Sequence, residues 1–279
     1  MTAISPATRA SIKAYLEVFI ENLIEEYKGR IMPNSGVPSE YLAQKSPKGK
    51  LKPFHAAIIP PEILRINEFE RGFSSRLGTT YEECARLIAL EHHSEVHRGY
   101  DLAGDVSLAA INEIEHQLAI FEHTASSKGR KPHFEEMIQN VLDARRKDDL
   151  EGRSARADLY IQANDGAEFF FEIKSPMPNK GQCLEVTQRL LRFHLLRGQS
   201  RPAVRSYFAM AYNPYGRARD DYSWSFARNY TPFEQATVIG HEFWDIVGGP
   251  GAYKELLGIY QEVGHDKSKY MLDALAFGF

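Results

Sequence analysis

Two cysteines in 279 residues, Cys84 and Cys183, exclude a disulfide framework and a thiolate metal cluster; both read as small buried hydrophobes. No run of eighteen apolar residues occurs, so no segment is long enough to span a membrane. The opening MTAISPATRASIKAYLEVF lacks the basic-then-apolar order of a secretory signal, and a cytoplasmic protein is expected. Charge of one sign is also missing. With 34 Lys and Arg against 37 Asp and Glu, the net of −3 excludes a protein that coats nucleic acid indiscriminately.

What is present is the composition of a globular chain, 43% hydrophobic, with its charge unevenly spread. From Lys180 to Arg219 there are eight Lys or Arg and one acid, Glu185, a local +7 that leaves −10 elsewhere. A basic segment on an acidic body suits a polyanion held at one surface. It suits equally a helix and loop whose arginines are merely solvated.

Residues 6–28 read as an amphipathic helix opened by Pro6, with Ile12, Leu16, Phe19, Ile20, Leu23, Ile24 and Tyr27 at helical spacing. A Pro- and Lys-rich stretch follows, whose Lys45, Lys48, Lys50 and Lys52 belong either to a solvated loop or to a phosphate-contacting one. Four helical patterns are expected next, PEILRINEFERGF, TTYEECARLIALEHHSEVH, DVSLAAINEIEHQLAIFEHTA and PHFEEMIQNVLDARRK. Then come strands ADLYIQA and AEFFFEIK, a helix from about Gly181 to Leu196, a strand AVRSYFAMAY, a loop and a helical C-terminus. This order predicts one α/β (α+β) domain over 1–279: a helical arm and loop over 1–60, then a core over 61–279 with a mixed central sheet flanked by helices.

The stretch FFFEIK raises a question, because a buried strand should avoid Glu172 and Lys174. Between the strands, Asn164, Asp165 and Gly166 have the chemistry of a three-residue hairpin loop with a left-handed glycine. That loop pairs Ala163 with Ala167 and brings Asp158 opposite Glu172. Alternation then places Asp158, Glu172 and Lys174 on one face, with Phe169, Phe171 and Ile173 on a packed opposite face. Two carboxylates about 5 Å apart repel unless a cation lies between them, and hard oxygens at that spacing suit Mg²⁺. An edge hairpin with a Glu–Lys salt bridge is the plainer alternative.

Asp158 followed by Glu172-Ile173-Lys174 resembles the PD-(D/E)xK nuclease active site, with Ala157 where that pattern loosely keeps a proline. The continuation EIKSPMPNKGQ, with FERGFSSRLGTTYEE and AMAYNPYGRARDDY, resembles a family of type II restriction endonucleases within that superfamily, over about 69–264. The resemblance implies a restriction-endonuclease-like core and Mg²⁺-dependent cleavage of double-stranded DNA at a short palindrome of the GGNCC or GGWCC kind. It makes Asp158, Glu172 and the Ile173 carbonyl metal ligands and Lys174 the residue beside the attacking water. Glu82 is the expected helix carboxylate, with Glu83 as the alternative. It also implies a homodimer, each subunit cutting one strand, and a methyltransferase of the same specificity that acts through the DNA. A nonspecific repair nuclease with the same site, and a DNA-binding protein that never cuts, are the rivals.

Expected DNA contacts are Arg71, Ser74 and Arg76 around a turn into the Glu82 helix, Lys180 and Gln182 at the start of the helix after Lys174, and a reading loop over about 213–230. In that loop Arg217, Arg219, Asp220 and Asp221 combine donors for guanine with acceptors for cytosine. Two other patterns are set aside. His93 and His97 stand four apart on an expected helix, but Ser94 occupies the place where a zinc peptidase needs Glu, and GGPGAYKELL lacks the Lys-Ser/Thr of a phosphate loop.

Overall fold

A computed structural model describes residues 2–28, 52–127, 131–198 and 203–277. The chain forms two compact units, Met1–Ser5 with Tyr81–Glu255, and Pro6–Thr80 with Leu256–Phe279. Among the described residues no helix is long and apolar enough to cross a membrane. Lys45, Lys48 and Lys50 lie outside the described residues.

The second unit is helical. Helix α1 (Pro6–Lys28) buries Ile12, Leu16, Ile20, Leu23, Ile24 and Tyr27, the face that its periodicity predicts. It is followed by α2 (Pro53–Ile58), with Lys52 just ahead of it, and by α3 (Pro61–Ala89), which continues into the other unit. Tyr27 meets Phe69 edge-on, and Phe73 lies 6.0 Å from Phe19. Gly72 is required at this contact, because a Cβ there would come within 2.2 Å of the Tyr27 hydroxyl. Where two helices separated by a turn are expected, α3 runs unbroken through Gly78, at which a Cβ would meet nothing within 4 Å.

The larger unit is α+β, built on a five-stranded mixed sheet in the order β1-β2-β3-β4-β5. Strands β1 (Glu95–Ser107), β2 (Leu150–Gln162) and β3 (Glu168–Lys174) are antiparallel neighbours. Helices α4 (Leu108–Ser127) and α5 (Phe134–Asp143) separate β1 from β2. Helix α6 (Lys180–Arg197) crosses over to β4 (Val204–Met210), which runs parallel to β3, as such a crossover requires. Short helices α7 (Ser225–Tyr230) and α8 (Phe233–Ala236) lead to β5 (Thr237–Ile239), followed by α9 (His241–Gly248) and α10 (Ala252–Leu272).

Strand β1 corrects the sequence reading, in which EVH ends one helix and DVS begins the next. Gly99, at φ 65°, interrupts its alternation, and the strand is recognisable only through its twelve-pair partnership with β2. His97 accordingly lies on a strand while His93 follows α3, so the expected helical His pair does not exist.

Both sheet faces are covered. On one, Phe170 stacks on Phe193 of α6 at 5.0 Å; on the other, Phe171 meets Phe243 of α9 at 5.5 Å. Each fully buried aromatic contributes about 1.5–3 kcal/mol. This packing leaves Glu172 enclosed, 0% exposed, so the expected open, non-core face for the charged residues is corrected: α6 roofs it.

Candidate active site

Strands β2 and β3 deliver the charged residues. Their hairpin closes as its loop chemistry predicts: the Ala163 N–H donates to the Ala167 carbonyl at 2.8 Å, and Gly166 takes φ 87°. The paired register runs from Gln162 opposite Glu168 to Leu159 opposite Phe171, and Asp158 and Glu172 are the residues that follow it on the two strands.

Three charged side chains meet there. Lys174 Nζ pairs with Glu172 Oε1 and lies 3.7 Å from Asp158 Oδ2, which also accepts the Ile173 N–H at 2.7 Å. Arg189 of α6 donates to Glu172 Oε1 at 2.7 Å, and Glu185 holds its other terminal nitrogen at 2.7 Å. The second carboxylate oxygen, Glu172 Oε2, is buried without a hydrogen-bond partner.

Burial, and after it the charge of Asp158, raises Glu172 above the usual carboxylate range, while Lys174 and Arg189 oppose the rise. Burial pulls Lys174 down, but the hydrogen bond to Glu172 and the charges of Asp158 and Glu172 outweigh it and hold the ammonium above its ordinary value. Native proteins rarely leave a buried carboxylate oxygen unpaired, and such an atom beside a second carboxylate fits a hard divalent cation. Among the described residues no group of three or more His, Cys, Asp or Glu could hold a metal. The carboxylates gathered there are Asp158 and Glu172, and one or two protein carboxylates completed by water and substrate oxygens is how Mg²⁺ is commonly held.

Glu82 and Glu83 reach the same neighbourhood. With Asp158 they line an open cleft of about 530 Å³ bordered by Arg86, Arg98 and Arg156. Arg98 holds Glu82 Oε2 at 2.8 Å, and Arg86 holds Glu83 Oε1 at 2.6 Å. The cleft therefore brings Glu82 beside Asp158 with its carboxylate engaged by an arginine.

The expected DNA contacts divide. Arg71, Ser74 and Arg76 lie inside α3 rather than at a turn, because the helix is continuous; Ser74 donates to Glu70 and Arg76 pairs with Glu26, both at 2.6 Å. Lys180 pairs with Glu122 and lies over the Tyr230 ring, while Gln182 completes a capping box with Asn179 at the α6 N-terminus. In the loop after β4, Arg219 donates to the Thr237 and Phe233 carbonyls and to Glu242, and Asp221 Oδ2 accepts the Ala218 N–H at 2.9 Å. Arg217 and Asp220 are exposed at the tip.

Two features have no sequence signal. Arg189 lies seventeen positions beyond Glu172 and meets it only because α6 folds back over β3. The loop after β4 is also tied to the chain leaving Lys174: the Tyr222 hydroxyl donates to the Pro176 carbonyl and Trp224 Nε1 to the Pro178 carbonyl, each at 2.7 Å.

A profile of the family described as "Type II restriction endonuclease, HinfI" matches residues 8–264. The type II restriction enzyme HgiEI of Herpetosiphon aurantiacus is 46% identical over 266 residues, 95% of this chain and 96% of the relative. HgiBI and HgiCII, type II restriction enzymes of the same organism, are each 45% identical over 266 residues, covering 95% of this chain and 96% and 97% of the relatives. No solved structure matches the chain.

Proposed function

The chain belongs to the HinfI family of type II restriction endonucleases, site-specific deoxyribonucleases, and we propose that it cuts double-stranded DNA with Mg²⁺ at a PD-(D/E)xK site formed by Asp158, Glu172 and Lys174. The observation that carries this reading is the buried, unpartnered Oε2 of Glu172, whose other oxygen pairs with Lys174, itself 3.7 Å from Asp158 Oδ2.

Asp158, Glu172 Oε2 and the Ile173 carbonyl would hold the cation. Bound there, Mg²⁺ would supply stabilisation of the negative charge that builds on the attacked phosphate and a lowered pKa for the attacking water. The Lys174 ammonium offers N–H donors to that water and to the phosphate, and its positive charge lies where negative charge develops. Water loses a proton to solvent and adds to phosphorus, the bond to the 3′ oxygen breaks, and that oxygen takes a proton from solvent, leaving 5′-phosphate and 3′-hydroxyl ends. Asp158, by accepting the Ile173 N–H, fixes the peptide between the two catalytic strand residues.

The target is a short palindrome of the GGNCC or GGWCC kind, read in part by Arg217 and Asp220. A cytoplasmic homodimer cuts both strands, because a two-fold site is matched most simply by a two-fold protein. A methyltransferase of the same specificity protects host DNA without contact with this chain. Digestion of one plasmid with Mg²⁺ tests the proposal: discrete bands whose sequenced ends share one palindrome support it, and a smear or intact plasmid contradicts it.

A further inference from the structure

We infer that Arg189 is the positioning residue of the catalytic carboxylate, gripping Glu172 by Oε1 so that Oε2 is turned toward the metal, an inference that rests on the Mg²⁺ reading above. The two oxygens of Glu172 are treated unequally. Oε1 receives two cationic donors, Lys174 Nζ and Arg189 Nη1, while Oε2 receives none. A carboxylate held by charged donors on one oxygen presents the other as a single, directed ligand.

The guanidinium is itself fixed from both sides. Glu185, four residues earlier on α6, holds Nη2 while Glu172 holds Nη1. The helix that carries it begins at the Asn179 capping box, five residues past Lys174, and its Phe193 stacks on Phe170 of the catalytic strand. Arg192, on the same helix, is exposed and serves as a comparison.

Loss of the guanidinium has opposite effects on metal binding and on rate. One positive charge leaves the neighbourhood of the cation site, so a divalent cation binds more tightly. At the same time Glu172, left with Lys174 alone on Oε1, can turn to chelate through both oxygens, which displaces the ion from its productive place and slows cleavage. An arginine that merely anchored α6 would lower stability and leave both quantities unchanged.

The test uses the full chain with its target duplex. Ca²⁺ binding to the protein–DNA complex is measured by titration calorimetry, and single-turnover cleavage is measured in Mg²⁺. For Arg189→Met the Ca²⁺ dissociation constant is expected to fall about threefold or more, while the cleavage rate falls about tenfold or more. Arg189→Lys, which keeps the charge but not the planar fork that spans Glu172 and Glu185, holds the Ca²⁺ constant within about threefold of wild type while the rate still falls, and Arg192→Ala changes neither the Ca²⁺ constant nor the rate at saturating DNA. Unchanged Ca²⁺ affinity and rate in Arg189→Met overturn the positioning role. Wild-type Ca²⁺ binding that survives Glu172→Ala instead overturns the metal reading itself, so the two failures are distinct. If Arg189→Met does not fold, Glu185→Ala decides: slower cleavage with unaltered thermal unfolding supports the role, and unaltered cleavage overturns it.

Discussion

Asp158 Oδ2 accepts the Ile173 amide at 2.7 Å, so one carboxylate both faces the candidate metal site and pins the backbone of the strand that carries Glu172 and Lys174. Asp158→Asn keeps an acceptor for that amide but removes the charge. The variant should fold like wild type by circular dichroism, bind target DNA in Ca²⁺, and lose cleavage by about a hundredfold or more, the scale of a lost electrostatic group at a reacting centre. Retained cleavage would remove Asp158 from the site.

Glu82 shares the cleft with Asp158 while Arg98 holds its carboxylate. To reach a cation it must release that arginine. Glu82→Gln is therefore expected to slow cleavage about tenfold at low Mg²⁺ and to recover as Mg²⁺ rises, as loss of an outer-sphere group does. Glu83→Gln, whose native carboxylate is committed to Arg86, should leave the Mg²⁺ dependence unaltered. Titration of cleavage rate against Mg²⁺ for both variants separates the two.

Arg217 and Arg219, two positions apart, have different surroundings. Arg219 is engaged by two carbonyls, Glu242 and the Phe233 ring, so Arg219→Ala should lower the urea unfolding midpoint by removing a network of half-buried polar contacts. Arg217→Ala should leave that midpoint in place and cost ~1–3 kcal/mol of discrimination between target and single-mismatch duplexes. Binding at two salt concentrations checks this. A uniform loss across all duplexes, with a salt slope smaller by about one, would show that Arg217 contacts phosphate instead.

His194 gives a pH signature independent of DNA. Burial beneath the sheet, against Ser206, pushes its imidazole down to about 4 from 6.5. The folded state therefore holds the ring neutral where the unfolded chain protonates it. Its contribution to stability is complete above pH 6.5, declines as the pH falls from there toward 4, and changes no further below. Wild type should thus lose more stability between pH 7.5 and 5 in urea titrations than His194→Gln does; equal losses would refute the assignment.

Much of the site is legible in the sequence because its geometry is local. Asn164-Asp165-Gly166 sets the hairpin register, and Asp158 and Glu172 stand just past its last pair, Leu159 with Phe171. The long β1 is not legible: its apolar positions Val96, Leu102 and Val106 are interrupted by Gly99, and its identity as a strand comes from pairing with residues distant in the sequence, from Ser107 with Leu150 to Glu95 with Gln162. The three residues of β5 are too few to show a period. The burial of Glu172 and its Arg189 partner depend on where α6 lands after a crossover, and no spacing rule encodes that landing. Arg219 illustrates the same limit, since its basic, loop-like context suits base contact while its partners Phe233, Thr237 and Glu242 come together only in the folded chain.

The most direct measurement is plasmid cleavage by wild type and Glu172→Ala side by side, in Mg²⁺ and in EDTA, with the product ends sequenced. The account predicts discrete fragments bearing 5′-phosphates at one short palindrome from wild type in Mg²⁺ alone, and none from Glu172→Ala, which still binds the same duplex in Ca²⁺. Fragments from Glu172→Ala at the wild-type rate, or from wild type in EDTA, would contradict it.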